Sequence, residues 1–208
     1  MRDRGVVIPE YWLYLLLLTK NTNMKKLVIG SLVGGLLIFI WQTLSWAALN
    51  LHHASQEYTP KQDSILSYLS TQFSEDGAYL LPNYPKGSSR EEVEKQMEVN
   101  KGRPWVQIQY HKALNVNMGS NIFRGLIVDI ILVAFACWIL MKIPAPGMST
   151  IFTACLFIGI IVFINSPYTI HIWYPKADIM IHLLDALVSW ALCGIWLGWW
   201  LSRKTKTA

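Results

Sequence analysis

Six polar side chains inside or beside long apolar runs are the residues of this chain best suited to chemistry. They are Gln42, Ser45, Arg124, Asp129, His182 and Asp185. Carboxylates and imidazoles exchange protons, attract cations and ligate metals. His182 and Asp185 are three residues apart and therefore share one face of a helix. Arg124 and Asp129 are five apart, about 140° around a helix, so they need not face each other.

Burial in a bilayer restricts what these six side chains can do. A charged side chain at mid-bilayer costs at least about 2.5 kcal/mol, so we expect them to face the interior of a helix bundle and to pair. The predicted pairs are Arg124 with Asp185 or Asp129, and His182 with an aspartate. Three roles stay open for this intramembrane polar cluster: a structural network that fixes helix register, an outward-opening site for a ligand or ion, and proton handling.

Other residues able to bind metals carry weaker signals. His52 and His53 stand at a predicted helix end, where adjacent side chains diverge by about 100°, which favours an interfacial anchor or a solvated pair over a metal site. The three cysteines are odd in number, lie in apolar runs without metal spacing, and are predicted to be apolar fillers: Cys137, Cys155 and Cys193. We predict no catalytic residue, metal site or cofactor, since no nucleotide loop, triad or zinc motif appears.

Four apolar segments must position these residues. With 53% hydrophobic and 15% charged residues, the chain belongs to the membrane class. Spans of about 20 residues are needed to cross a bilayer. The predicted fold is an all-α membrane protein, a four-transmembrane-helix bundle with helices at 24–49, 122–141, 150–165 and 179–201. A cytoplasmic turn is predicted at 142–149, an external loop at 166–178 and a cytoplasmic tail at 202–208.

Basic residues at three sites indicate one orientation, with both ends in the cytoplasm. These residues are Lys25, Lys26, Lys142, Arg203, Lys204 and Lys206. Basic residues that collect on the cytoplasmic side explain a positive net charge of +5 without nucleic acid, so the lipid bilayer is the expected partner. Residues 1–23 are interpreted as an over-extended gene start before Met24, or else as a cytoplasmic or interfacial tail. The first span is predicted to be an uncleaved anchor rather than a signal peptide.

Residues 50–121 are predicted to form a small α+β extracytoplasmic cap between the first and second spans. Helical periodicity covers 61–74, a capping box of Ser88 and Glu91 begins a helix over 89–100, and strands are expected at 78–81 and 105–111. A cap of this size cannot bury a large core, so we expect it to lean on the bundle or on a protein partner.

Two further patterns concern packing. Gly30 with Gly34, and Gly194 with Gly198, are small-residue pairs that allow close helix approach, and they favour packing within one bundle over dimerisation. Tryptophans near the last helix end are interpreted as an aromatic belt at the inner interface: Trp196, Trp199 and Trp200.

One stretch carries a resemblance. The run Gly34–Trp46 (GGLLIFIWQTLSW), followed by His52 and by Gly77–Pro82 (GAYLLP), resembles a group of uncharacterised small four-helix bacterial inner-membrane proteins. The resemblance covers the first helix and half of the cap. It implies a bacterial source and the inner membrane, and it carries over no activity and no functional residue.

The sequence therefore predicts a polytopic membrane protein whose activity stays open. A non-enzymatic accessory or interaction module, presenting its outer face to a membrane or extracytoplasmic protein, is favoured because the cap is small and no catalytic signature is present. The alternatives are an outward-facing binding or transport protein for a small molecule or ion, and a membrane enzyme with acid–base or metal chemistry at the outer leaflet.

Overall fold

Four long apolar helices dominate the computed structural model, which describes the backbone of residues 10–203 and the side chains of residues 23–203. Each is long and apolar enough to cross a bilayer, and the four segments are Asn23–Ala48, Met118–Leu140, Met148–Trp173 and Ile179–Ser202. The prediction of four such helices with a small additional sheet is confirmed.

The elements follow in chain order. They are α1 (Glu10–Thr43), α2 (Gln62–Gln72), β1 (Gly77–Leu81), α3 (Arg90–Asn100), β2 (Val106–Tyr110), α4 (Met118–Leu140), α5 (Met148–Phe163), α6 (Thr169–Trp173) and α7 (Ile179–Ser202). Single π-helical turns continue α1 over Leu44–Ala48 and α5 over Ile164–Tyr168. Both π turns lie next to the polar cluster described below.

The third helical segment differs from the predicted span at 150–165, because the helix does not give way to a loop at residue 166. Pro167 lies inside the π turn, and α6 continues the helical path to Trp173. Proline removes a backbone donor, but Thr169 donates both its N–H and its hydroxyl to the carbonyl of Ile164, five residues back. The wide turn therefore accommodates a residue that normally ends a helix.

The first helix begins earlier than the predicted start of the first span. From Glu10 onward the backbone is helical and continuous with the apolar segment, while residues 1–9 of the predicted tail lie outside the described residues. The segment ends at Asn50, whose φ of 47° is in the left-handed region, a conformation common just beyond a helix.

Glycines allow close approach inside the bundle. A Cβ added to Gly35 would lie 2.6 Å from the Cα of Ile130 on α4, so α1 and α4 touch backbone to backbone there. Gly30 faces α4 and α7, while Gly194 and Gly198 face α5. The prediction that the small-residue pairs pack within one bundle is confirmed.

An apolar core fills the half of the bundle away from the polar cluster. Its members include Val133, Ala136, Cys137, Leu140, Ile151, Cys155, Cys193 and Leu197. All three cysteines are free and buried in this core, as expected of apolar fillers.

Two tryptophans near the end of α7 clamp this helix to α1 instead of lying free at an interface. The indole N–H of Trp196 donates to the carbonyl of Gly30 at 3.1 Å, and that of Trp200 to the carbonyl of Lys26 at 2.9 Å. Trp199 is the exposed member of the set. The predicted aromatic belt is therefore partly a set of interhelical hydrogen bonds.

The small α+β unit spans Tyr58–Asn117 and is compact by itself. Its strands pair antiparallel, with Gly77 opposite Tyr110. The capping box of α3 forms between Ser89 and Glu92, one residue beyond the predicted pair, because the hydroxyl of Ser88 donates to a turn carbonyl instead. The unit begins at residue 58 and not at residue 50, so His52 belongs to the bundle.

Candidate functional site

The site is assembled where α1 ends. After the π turn, the left-handed Asn50 reverses the chain, and a 3-10 turn at His53–Ser55 follows. His52 precedes this turn and points back into the bundle, with 1% of its surface exposed. The interpretation of His52 as an interfacial or solvated residue is wrong, because the reversal of the chain, and not a helix, sets its direction.

His52 is held between two carboxylates. Its Nδ1 lies 2.7 Å from Oδ2 of Asp178, and its Nε2 lies 2.8 Å from Oδ2 of Asp185. The indole of Trp46 stacks on the imidazole, with ring centroids 3.8 Å apart and planes 7° apart. A neutral imidazole donates from only one nitrogen, so both contacts are hydrogen bonds when the ring is protonated or when one carboxyl keeps its proton.

Asp178 immediately precedes α7, and its backbone carbonyl accepts from the N–H groups of Ile181 and His182. Its side chain is buried, and Oδ1 has no hydrogen-bond partner among the described residues. Burial raises the pKa of Asp178, but the hydrogen bond from His52 and the charge of His182 outweigh it, so the pKa lies below its usual range. The ionised carboxylate is therefore the resting form of this group.

Two more side chains, His182 and Asp185, complete the polar cluster that the structure forms around His52 and Asp178. His182 places Nε2 3.4 Å from Oδ2 of Asp178, one turn of helix away, and its ring centroid is 4.8 Å from that of His52. The prediction that His182 pairs with an aspartate is confirmed, with Asp178 as the partner. Asp185 accepts a hydrogen bond at Oδ1 from the indole of Trp41, at 3.0 Å.

The cluster contains a candidate metal centre. His52, Asp178 and His182 each offer one ligand atom, and these three atoms lie within 4.8 Å of one another. In a tetrahedral site with ligand bonds of about 2.0–2.1 Å, neighbouring ligand atoms are about 3.3 Å apart. The 3.4 Å between Asp178 and His182 is close to that value, and the 2.7 Å between His52 and Asp178 would have to lengthen. The ligand nitrogens of the two histidines, within 4.8 Å of each other, would have to approach by about 1.5 Å to complete such a site.

A cavity of about 210 Å³ adjoins the cluster, and four of the six predicted site residues line it: Gln42, Asp129, His182 and Asp185. Gln42 donates to Oδ1 of Asp129 at 3.4 Å, while Oδ2 has no partner in the described part of the chain. Ser45 is fully buried in the π turn, and its hydroxyl also lacks a described partner. A second cavity, of about 400 Å³, adjoins Asp178 and is lined in part by Lys176.

Arg124 does not join the other predicted residues. It is exposed and forms no ion pair with any residue between 23 and 203, so its predicted pairing with Asp185 or Asp129 is wrong. A long side chain near the end of a span can extend its guanidinium to the interface without a buried partner.

Sequence reasoning missed three residues of the cluster: Trp41, His52 and Asp178. Asp178 had a recognisable signal, because aspartate directly before an apolar helical run is a typical N-cap. Trp41 and His52 both belong to the pattern that carries the resemblance, but their convergence on Asp185 depends on tertiary structure. No family model, curated protein or solved structure matches this chain.

Proposed function

We propose that this chain is a multi-pass protein of the bacterial inner membrane that binds a divalent first-row transition metal ion at its outer face. The ligands are His52, Asp178 and His182. This proposal develops the ion-binding alternative of the sequence analysis and replaces the expectation that no metal binds.

The arrangement around His52 carries the proposal. A histidine that ligates a metal through one nitrogen usually donates from the other nitrogen to a carboxylate, which fixes its tautomer and orientation. His52 has this environment, since Nδ1 faces Asp178 and Nε2 faces Asp185. Trp41 in turn orients Asp185. Asp178, Asp185 and the stacked indole of Trp46 therefore hold the imidazole of His52 in place in the metal-free protein.

The donor atoms define the class of metal. Two imidazoles and one carboxylate suit Zn²⁺ and Fe²⁺, whereas Mg²⁺ and Ca²⁺ prefer oxygen ligands alone. Oδ1 of Asp178 forms no hydrogen bond of good geometry with a described residue, although the Ser55 hydroxyl lies near enough to help lower the pKa of this carboxyl, so a second oxygen contact to the ion would compete with Ser55. Three protein ligands also leave coordination positions open, as in catalytic metal sites, so the enzyme alternative stays compatible with this centre.

Binding at one face fits the bundle better than conduction through it. Beyond Asp129, the buried side chains of the described bundle are almost all apolar, including Val133, Cys137 and Leu140. An ion has no polar ligands on that route, and its desolvation there would be unfavourable. We therefore propose a binding site with access from one side.

Cobalt substitution tests this proposal. Co²⁺ added to purified, metal-free protein in detergent should give the visible absorption of a four- or five-coordinate site with nitrogen ligands. The absorption should saturate at about one ion per chain. His52→Ala and Asp178→Asn should abolish the signal. His53→Ala is the matched control, because His53 is the exposed neighbour. Equal spectra for the His52 and His53 variants would refute the assignment.

A second candidate function is the accessory or interaction module, and the exposed apolar residues of the small unit favour it. Within Tyr58–Asn117, Tyr110 is the one buried large apolar residue. Large apolar side chains are exposed, among them Tyr58, Leu66, Tyr68, Met97 and Leu114. Crosslinking in the native host tests this role. A partner should be captured by the wild type and lost with Leu66→Glu and Tyr68→Glu; capture that does not depend on these residues would count against it.

A further inference from the structure

Asp129 is a buried carboxylate that the proposed metal centre does not use. It lies in the middle of α4 with 6% of its surface exposed. Its only described hydrogen bond is the long one from Gln42 to Oδ1, and Oδ2 has none in the part of the chain with described side chains. A buried acceptor without a partner is destabilising, and more so when it is charged. Oδ2 is closed to solvent, so a ligand in the adjoining cavity would remove this destabilisation by turning the carboxylate and donating to that oxygen.

The cavity beside Asp129, which we call the Asp129 chamber, has the size and lining of a small-molecule site. Its volume is about 210 Å³, and a dry cavity of about 150 Å³ is large enough for benzene. One wall is apolar and includes Ile38, Leu132, Val162 and Trp190. This wall suits a hydrocarbon body, while the carboxylate suits a polar head.

The charged residues around the chamber favour a ligand with a cationic group. Asp129 and Asp185 both line it, and no lysine or arginine between residues 23 and 203 does. His182 lines it too, but its Nε2 is directed at Asp178. An ammonium group supplies positive charge and N–H donors together, and hydrogen bonds to charged groups are the stronger ones. An anionic ligand would meet two carboxylates.

We infer that the Asp129 chamber binds a small amphipathic amine, with its ammonium group on Asp129 and its apolar body against the Leu132–Trp190 wall. The chamber borders the proposed metal centre through His182, but its anchor Asp129 is not one of the three metal ligands, and amine binding does not require the metal. The ammonium group has two possible sources, a free small amine or the ethanolamine headgroup of a membrane lipid.

Calorimetric titration with benzylamine tests the inference on full-length protein in nanodiscs of phosphatidylcholine. Benzylamine should bind, while benzyl alcohol, which has nearly the same shape without the charge, should bind far more weakly. Asp129→Asn should weaken benzylamine about ten- to hundredfold, the expected loss of one charge-assisted hydrogen bond. The matched control is Asp63→Asn, on exposed α2, which should bind like the wild type.

A second variant covers the case in which Asp129→Asn fails to fold. Val162→Phe fills the chamber and leaves Asp129 in place, so it should also block benzylamine. Nanodiscs that contain phosphatidylethanolamine separate the two sources: competition identifies the lipid headgroup as a ligand, and unchanged affinity identifies the free amine. Absence of benzylamine binding, equal binding of benzyl alcohol, or full binding by Asp129→Asn would each overturn the inference, whatever the outcome of the cobalt experiment.

Discussion

Replacing His52 with alanine should strongly destabilise the metal-free protein. The substitution removes the ring between Asp178 and Asp185 and leaves two carboxylates facing each other across a gap. Each lost charge-assisted hydrogen bond corresponds to about 1.5–3 kcal/mol, and the stacking on Trp46 to about 0.5–1.5 kcal/mol more. Water entering from the adjoining cavities recovers part of this, and Asp185 keeps its bond from Trp41. We expect a net loss of about 3–5 kcal/mol, the range for breaking one side of a buried ion pair.

Unfolding in mixed micelles with increasing sodium dodecyl sulfate, followed by tryptophan fluorescence in the presence of a chelator, measures this loss. The control is His53→Ala, which removes an exposed ring whose described hydrogen bond is a 3.3 Å contact with the carbonyl of Asn50. It should stay within about 0.5 kcal/mol of the wild type. If both variants unfold at the same detergent fraction, His52 is not the structural centre that the geometry implies.

Two other predictions concern the packing of the bundle and the pH dependence of the small unit. Gly35→Ala forces a methyl group against the backbone of Ile130 and should lower the stability of the bundle by about 1–3 kcal/mol. The control is Gly125→Ala, whose added methyl makes only an ordinary contact and should be neutral or stabilising. If Gly125→Ala melts at a lower temperature than Gly35→Ala, the close approach of α1 and α4 is refuted. Hydrogen bonds from the backbone and hydroxyl of Ser89 lower the pKa of Glu92, so the capping box is complete above the ordinary glutamate pKa and is lost as the pH falls through the lowered value. The protection of the amides at the start of α3, after correction for the pH dependence of intrinsic exchange, should then fall on acidification in the wild type. It should not change with pH in Glu92→Gln, whose side chain can cap but does not titrate; the same loss of protection in both would exclude the carboxylate as its cause.

Helix number and the composition of the core were predictable because both follow from short-range signals. Runs of about 20 apolar residues identify the spans, and cysteines without metal spacing inside such runs are fillers. The predicted break at Ser166–Pro167 failed for a local reason, since a π turn with a well-placed Thr169 compensates for proline. The capping box lies one residue beyond the predicted one because Ser88 and Ser89 are adjacent and the sequence does not show which of them caps the helix.

The candidate site was only partly predictable. Asp129, His182 and Asp185 stood out because charged groups are rare inside apolar runs, and the structure places all three around one cavity. His52 and Asp178 lie just outside the spans, where polar residues are common. The position of Asp178 before α7 is typical of an N-cap but does not indicate a binding site, and nothing in the local sequence marks His52. Their 2.7 Å contact joins residues 126 positions apart. Only the antiparallel packing of α1 and α7 brings them together.

The zinc content of the purified protein tests the central claim most directly. The wild type, dialysed against buffer containing Zn²⁺ and then against metal-free buffer, should retain about one ion per chain by elemental analysis. Asp178→Asn and His182→Ala should retain almost none, and His53→Ala should retain as much as the wild type. A wild type that retains no zinc and no iron, or variants that retain as much as the wild type, would contradict the assignment of His52, Asp178 and His182 as a metal site.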